Sequence, residues 1–469
     1  MNPSFVSQHH QELPALWVEG QPPITYADLN KAVSDFSQNL RIGDLVLLIG
    51  DNNTQSIICY LACLRSGAVP MLLGEGVKET VNRLIEIYDP ELVFRKMDEK
   101  SLANEEIIWE SKDHGLFRRP SAKVKHLHPS LALLLATSGT TGSPKLVKLS
   151  HQNLESNAQS IASYLAITPT ERAITSLPFQ YSFGLSVINS HLISGASLVL
   201  SNYSLLDLKF WNLVNQYSVS SISGVPYSYE ILLKLRLERI NMPTIKTLTQ
   251  AGGKLAVDKT RKISEFCKGK GIDFYTMYGQ TEATARMAFL SPKNLDTKAG
   301  SIGRAIPGGK LSLIDDLGEQ ITVPNTLGEI IYEGPNVSMG YADNALDLAT
   351  QDQNKGRLST GDIGIFDEDG FFYIKGRKNR FLKVFGIRLD LDSVEELVAS
   401  KGLDCAAHGK DDALSVTIES SANIDANELR ASLAQTLNCH FSAIKINLLE
   451  NLPRLTTGKV DYQCLNNMQ

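Results

Sequence analysis

The stretch LATSGTTGSPKLVKLS, residues 135–150, gathers hydroxyl side chains, two glycines and the lysine Lys145 behind the apolar run 131–136. A short, unbroken apolar run of that kind reads as a buried strand, which delivers the chain to a polar loop. Gly139 and Gly142 free backbone N–H groups, Thr137, Ser138, Thr140 and Thr141 add hydroxyls, and Lys145 adds a cation. Those groups suit a polyphosphate. Gly139 to Lys145 has the spacing of a Walker loop, but Ser143-Pro144 precedes the lysine and Leu146 replaces the hydroxyl residue that should hold magnesium. Pro144 biases Ser143 away from helical geometry, so Lys145 is not expected to open a helix. The competing reading is a solvated linker rich in turn residues.

The chain around this loop has 469 residues, long enough for roughly two to four domains or subdomains. A net charge of -5 supplies no general basic field, which argues against nucleic acid as the main partner. The N-terminus MNPSFVSQHH lacks a basic start followed by an apolar core, and no apolar run approaches the ~18 residues of a membrane span, so a cytoplasmic enzyme is expected. Six cysteines in so long a chain, with Cys59 and Cys63 one helical turn apart, read as small buried hydrophobes rather than a disulfide or metal framework.

Helical and strand signals alternate from residue 25 to 75: TYADLNKAVSDFSQNL, then GDLVLLIG, then a helix ended by Gly67 and a further strand. The alternation resumes between 171 and 290 in ASLVLSN, VSSISGVP and TIKTLTQAGG. Such alternation predicts a wound α/β body. After residue 300 short strands separated by Gly and Asp turns predict a small β subdomain, with DEDG at 367–370 as a hairpin turn. Beyond Asn379 mixed signals return, with helices expected near LDSVEELVAS and DANELRASLAQTL. The expected fold is α/β: a large N-terminal domain of wound α/β subdomains plus the small β subdomain (1–378), then a small mobile α+β domain (379–469).

Three further segments carry reactive side chains. YTMYGQTEATA (275–285) places Tyr278, Gly279, Thr281 and Glu282 at a strand end, where a ring can stack a base, a hydroxyl can reach a phosphate and a carboxylate can hold magnesium; a simple helix cap is the other reading. The stretch from Arg357 supplies Asp362, Arg377, Lys383 and Arg388, of which the aspartate suits ribose hydroxyls and Arg377 the same sugar or a phosphate. LPRLTTGKVDY places Lys459 after a Thr-Thr-Gly turn.

Taken in order, TYADL, GAVPMLLG, SGTTGSPK, YGQTE, GEIIYEGPNVSMGY, STGD, GRKNRFLKVFGIR and TTGK resemble the adenylate-forming superfamily of acyl-CoA synthetases, peptide-synthetase adenylation domains and firefly luciferase. The resemblance covers nearly the whole chain. It implies that a carboxylate attacks the α-phosphate of ATP to give an acyl-adenylate and pyrophosphate, after which a nucleophile takes the acyl group. It further implies that the 137–145 loop holds the β- and γ-phosphates, Thr281 the α-phosphate and Glu282 the Mg2+. Tyr278, Gly279 and Gly252-Gly253-Lys254 would flank the adenine, and Asp362 and Arg377 would hold the ribose. Lys383 would assist on the ribose side with Arg388 nearby on the same hairpin, and Lys459 would bridge the attacking carboxylate and the α-phosphate. The small domain would turn about Asn379, where the family usually carries aspartate or lysine, and Gly386 would let the acceptor's pantetheine pass.

By the same resemblance the acyl pocket draws on TSLPFQYSFGLSVINSH and includes Tyr181, Phe183, Gly184, Leu185, Gly252 and Met277. Amino-acid-activating members carry an aspartate in this segment, whereas this chain has Gln180, Tyr181, Ser182 and Phe183. Burying an α-ammonium without that carboxylate is costly, so a fatty, aryl or other non-amino organic acid is expected. The expected acceptor is the thiol of CoA. A carrier-protein phosphopantetheine acting in trans and an amine are the alternatives, and a kinase-like ATPase or a non-catalytic nucleotide binder are the readings from other classes.

Overall fold

The computed structural model describes residues 10–74, 78–97, 105–111, 113–120, 122, 125–136, 145–378, 380–385, 387–419, 425–437, 439–455 and 458–468. The chain divides into two compact units, Met1–Lys310 with Tyr332–Leu358, and Leu311–Ile331 with Ser359–Gln469. Compactness thus groups most of the small β region with the tail, while the expected hinge residue Asn379 lies outside the described residues.

The first unit is built on two large mixed sheets, each with a parallel centre and antiparallel edges. In one, Leu45–Ile49 lies between Val69–Leu73 and Leu92–Lys96, and Leu131–Ala136 pairs parallel to Val69–Leu73. In the other, Arg172–Ile174, Ser221–Gly224, Thr247–Gln250 and Asp273–Tyr278 run side by side and parallel. The expected alternation is present: the helix Tyr26–Ser37 precedes Leu45–Ile49, and Thr54–Ser66 ends at Gly67 with φ +78°, a left-handed cap that glycine adopts without a Cβ penalty. Strands buried on both faces read as continuous apolar runs, which is why LVLLI and LALLL carry no polar alternation.

One core joins the two sheets through the helices Thr54–Ser66, His151–Tyr164 and Ser182–Ile193. The last of these is buried at every position from Ser182 to Leu192, so it has no polar face. Cys59 and Cys63 are fully buried in the first, as expected of small hydrophobes. Asn52 ties the sheets at their loop ends, its Nδ2 donating to the carbonyls of Thr175 (3.3 Å), Leu177 (3.1 Å) and Ser201 (3.0 Å). The neighbouring parallel strands Arg172–Ile174 and Ser221–Gly224 connect onward in opposite directions, the first to Ser197–Val199 and the second to Thr247–Gln250. A crevice at the carboxyl ends of strands where the order reverses is the usual ligand position of an open α/β sheet.

The small β region forms a five-stranded sheet in which Arg357–Phe366 and Phe372–Arg377 pair antiparallel across the turn containing Gly370, φ +76°. Beyond it the hairpin Phe381–Val384/Ile387–Asp390, the helices Leu391–Ala399 and Ala426–Thr436 and a three-stranded sheet share a separate core. The two helices fall where the amphipathic patterns place them. Among the described residues no helix is long and apolar enough to cross a membrane.

His191, 3% exposed within the central helix, donates through Nδ1–H to the Val187 carbonyl at 2.8 Å. Burial pushes its pKa down to about 4, with the Val187 bond opposing and the Arg286 charge adding to the push. The unfolded chain therefore binds the extra proton first. This residue's contribution to stability is complete above pH 6.5 and is lost as the pH falls to about 4, a difference on the order of 3 kcal/mol. Thermal unfolding followed from pH 7 to 4 should show this loss, and His191→Gln should flatten the slope.

Candidate active site

At the end of Asp273–Tyr278 the chain reverses into the antiparallel strand Ala288–Leu290 through an irregular segment. A Cβ on Gly279 would lie 1.6 Å from the Ala285 carbonyl oxygen, so only glycine admits the reversal. A single 3-10 turn, Thr281–Ala283, follows, and Thr284 then takes φ +67°, a rare conformation for a β-branched residue. Side chains satisfy the buried backbone here. Asn336 Nδ2 donates to the carbonyls of Ala283 (2.9 Å) and Arg286 (3.2 Å), and Asn157 Nδ2 donates to the Arg286 carbonyl (2.8 Å). Thr284 Oγ1 donates to the Asn336 carbonyl at 2.7 Å, and Ser338 N–H to the Glu282 carbonyl at 2.9 Å.

This frame places Thr281 Oγ1 3.2 Å from Ser182 Oγ, so the 281–286 segment faces the start of the central helix. Glu282 Oε1 accepts from the Tyr341 hydroxyl at 2.6 Å, and the Lys145 ammonium sits 3.9 Å above the centre of the Tyr341 ring. A carboxylate, a phenol and a cation from three distant segments are thereby aligned. The Tyr341 phenol is pushed up by burial and by the Glu282 carboxylate, so it stays protonated as the donor. Lys145 leads into the strand Leu146–Ser150 rather than a helix, as expected, and that strand pairs antiparallel with Leu131–Ala136, Ala136 opposite Leu146. Thr137, Ser138, Gly139, Thr140, Thr141 and Gly142 themselves lie outside the described residues.

Magnesium fits this donor set. Glu282 keeps one carboxylate oxygen that takes no hydrogen bond from the described residues, and no cluster of three or more His, Cys, Asp or Glu ligands occurs among them. One carboxylate completed by substrate phosphates is a common way for proteins to hold Mg2+.

Of the acyl-pocket candidates, Tyr181 and Phe183 meet edge to face with ring centres 6.3 Å apart. A Cβ on Gly252 would lie 2.5 Å from the Tyr181 hydroxyl, and Gly252 takes φ +83°. Met277 belongs to the same core as Phe183 and Leu185, and Leu185 also lines a small cavity with Leu154, Asn157, Asn189 and Thr284. Gly184 has a packing reason, since a Cβ there would lie 2.3 Å from the Pro178 carbonyl oxygen. Tyr278 is mostly buried and its hydroxyl accepts from Gln280 Nε2, while Gly253 and Lys254 are exposed.

In the second unit Asp362 and Arg377 stand directly opposite in the strand pair, with Arg377 Nε 2.8 Å from Asp362 Oδ1. The aspartate is buried and the guanidinium largely exposed, so register alone brings together two residues read separately as ribose ligands. Lys383 is exposed on its hairpin opposite Arg388, its backbone N–H donating to Asp411 Oδ1 at 2.8 Å. Lys459 follows a tight turn, its carbonyl accepting from Leu455 N–H at 2.8 Å. Asn379, Gly386 and the side chain of Arg388 lie outside the described residues.

Sequence reading missed Tyr341, Asn336 and Arg286. Tyr341 and Asn336 sit inside the quoted GEIIYEGPNVSMGY without a role, and Arg286 lies one residue past the quoted YTMYGQTEATA, where a charge inside the apolar run ARMAFL was the available signal.

A two-sheet α/β body with a polar reversal at its strand ends and a cation-flanked carboxylate defines a nucleotide-handling class of enzyme. Residues 5–342 match the AMP-binding enzyme family model, and the chain belongs to that family. It is 26% identical over 472 residues to the 2-succinylbenzoate–CoA ligase of Listeria innocua, covering 95% of this chain and 94% of that protein. With the oxalate–CoA ligase of Arabidopsis thaliana it shares 23% identity over 491 residues, 95% of this chain and 93% of that one. Its fold is that of the O-succinylbenzoate coenzyme A synthetase of Bacillus subtilis in complex with AMP, with a TM-score of 0.78 at 24% identity over 99% and 98% of the two chains.

Removing the Asn336 side chain strips a donor from each of the Ala283 and Arg286 carbonyls, beside the strained Thr284. Asn336→Ala should cost about 2 kcal/mol in chemical denaturation. Amide hydrogen exchange at 282–287 should quicken while the central strands stay protected.

Proposed function

We propose that this protein is an AMP-forming acid–thiol ligase, and the observation that carries the reading is the Glu282–Tyr341–Lys145 alignment beside Thr281 in a chain of the AMP-binding enzyme family. A carboxylate oxygen of a non-amino organic acid attacks the α-phosphorus of ATP, and the bond to pyrophosphate breaks. The thiol sulfur of CoA then attacks the acyl carbon, and AMP leaves. Two anions must meet in the first step, so cations and hydrogen-bond donors have to offset their repulsion.

The 137–145 loop grips the β- and γ-phosphates with Lys145 as its cation, Thr281 donates to the α-phosphate, and Glu282 is the protein ligand for magnesium. That ion, when bound, neutralises phosphate charge. Tyr278, Gly279 and Gly252-Gly253-Lys254 border the adenine. Asp362 and Arg377 take the ribose, with Lys383 and Arg388 supporting. Lys459 spans the attacking carboxylate and the α-phosphate. Residues 379–469 turn about Asn379 between the half-reactions, and Gly386 admits the pantetheine. The names of the relatives, ligases of 2-succinylbenzoate and oxalate with CoA, support CoA as the acceptor and a small carboxylic acid as the substrate. We place the reaction in the cytoplasm, where ATP and CoA are supplied.

The test is carboxylate-dependent exchange of labelled pyrophosphate into ATP, followed by CoA-dependent release of AMP. Lys459→Ala should lower exchange on the order of a hundredfold to a thousandfold while ATP still binds. Absence of exchange with every acid in a wild-type protein that binds ATP would overturn the proposal.

A further inference from the structure

Arg286 is 2% exposed, two residues beyond the strained Thr284. Its Nη1 donates to the Tyr164 hydroxyl at 3.2 Å and lies 3.4 Å from Met277 Sδ, and its guanidinium carbon is 5.0 Å from the centre of the Phe183 ring. Nε is buried with no hydrogen-bond partner, and no carboxylate among the described residues pairs with the group. Its surroundings are neutral. Burial raises the Tyr164 phenol and lowers the His191 imidazole, so neither carries charge near neutral pH.

A guanidinium offers five N–H donors and does not lose its proton in proteins. Holding it buried beside a thioether, a phenol and an aromatic face leaves its charge uncompensated, which disfavours the folded state. The fold does not require that cost, because an aliphatic side chain would pack against Phe183 and Met277 as well. The position touches two of the acyl-pocket residues and lies four residues past Glu282. A fatty tail there would leave the charge unpaired, and an α-ammonium would be repelled by it.

We infer that Arg286 sets the acid specificity: its buried guanidinium pairs with a second carboxylate on the substrate, so the acid activated is a dicarboxylic acid. The inference rests on the acid-activating function proposed above. Of the two carboxylates, the one on Arg286 is held by charge and hydrogen bonds, while the other attacks phosphorus.

The test compares pyrophosphate exchange for straight-chain and aromatic dicarboxylates with the monocarboxylates of equal length. The wild type should favour diacids by roughly a hundredfold or more, the discrimination expected when a site's buried donors are left unpaired by the wrong substrate. Arg286→Met should lose that preference and accept monoacids better. Arg286→Lys, which keeps the charge but not the planar fork, should retain part of it, an intermediate that a purely structural arginine would not give. Equal wild-type rates for diacid and monoacid, or a preference unchanged in Arg286→Met, overturn the inference. Thermal stabilisation by each acid is read in parallel with the melting temperature of each variant. Without turnover of any acid, stabilisation by diacids in the wild type but not in Arg286→Met would uphold the pairing and reject the adenylation function. No stabilisation and no exchange would reject both. If Arg286→Met fails to fold, the wild-type panel and Arg286→Lys decide.

Discussion

Everything chemical in the first unit depends on a chain reversal that satisfies its own backbone only in part. Between Gly279 and Met287 the chain turns back, and beyond the single 3-10 turn its buried carbonyls have neither a helix nor a ladder to bond to. Buried backbone groups must find partners, and here asparagine amides from two other segments supply them: Asn157 from a helix and Asn336 from the chain after Gly328–Glu333. The strain at Thr284 persists because its own hydroxyl is bonded to the segment that holds it. Thr281, Glu282 and Arg286 are consequently carried on one over-determined piece of backbone, and their spacing is a property of the whole unit rather than of a flexible loop.

A second constraint is electrostatic. A protein with a net charge of -5 that handles several anions at once must place its cations locally. Lys145 is held over the face of Tyr341, whose hydroxyl donates to Glu282, so the cation is near the carboxylate without being cancelled by direct pairing. Arg286 takes the more expensive option of burial without a counter-ion. The buried arginine costs stability in the absence of ligand and is readily understood if an anion completes it.

Much of the fold was legible because its determinants are local. The apolar runs 45–49, 69–73 and 131–136 announced buried strands, Gly67 ended a helix as its position implied, and Lys145 led into a strand rather than a helix. The amphipathic patterns at 391–399 and 426–436 became helices of the tail. Tyr341, Asn336 and Arg286 escaped notice because their roles lie in partners from distant segments of the chain, or in the lack of one. No periodicity or spacing marks an asparagine that will meet a carbonyl across a sheet.

By itself the sequence determined the elements, their order and the family, since turn chemistry, apolar period and motif spacing are written over neighbouring residues. Only the tertiary structure decided that Asp362 faces Arg377 through strand register, that Tyr341 links Lys145 to Glu282, and that Arg286 is buried without a carboxylate. The physical reason is that charge pairing and desolvation depend on distance and dielectric, which are set by packing between segments far apart in the chain.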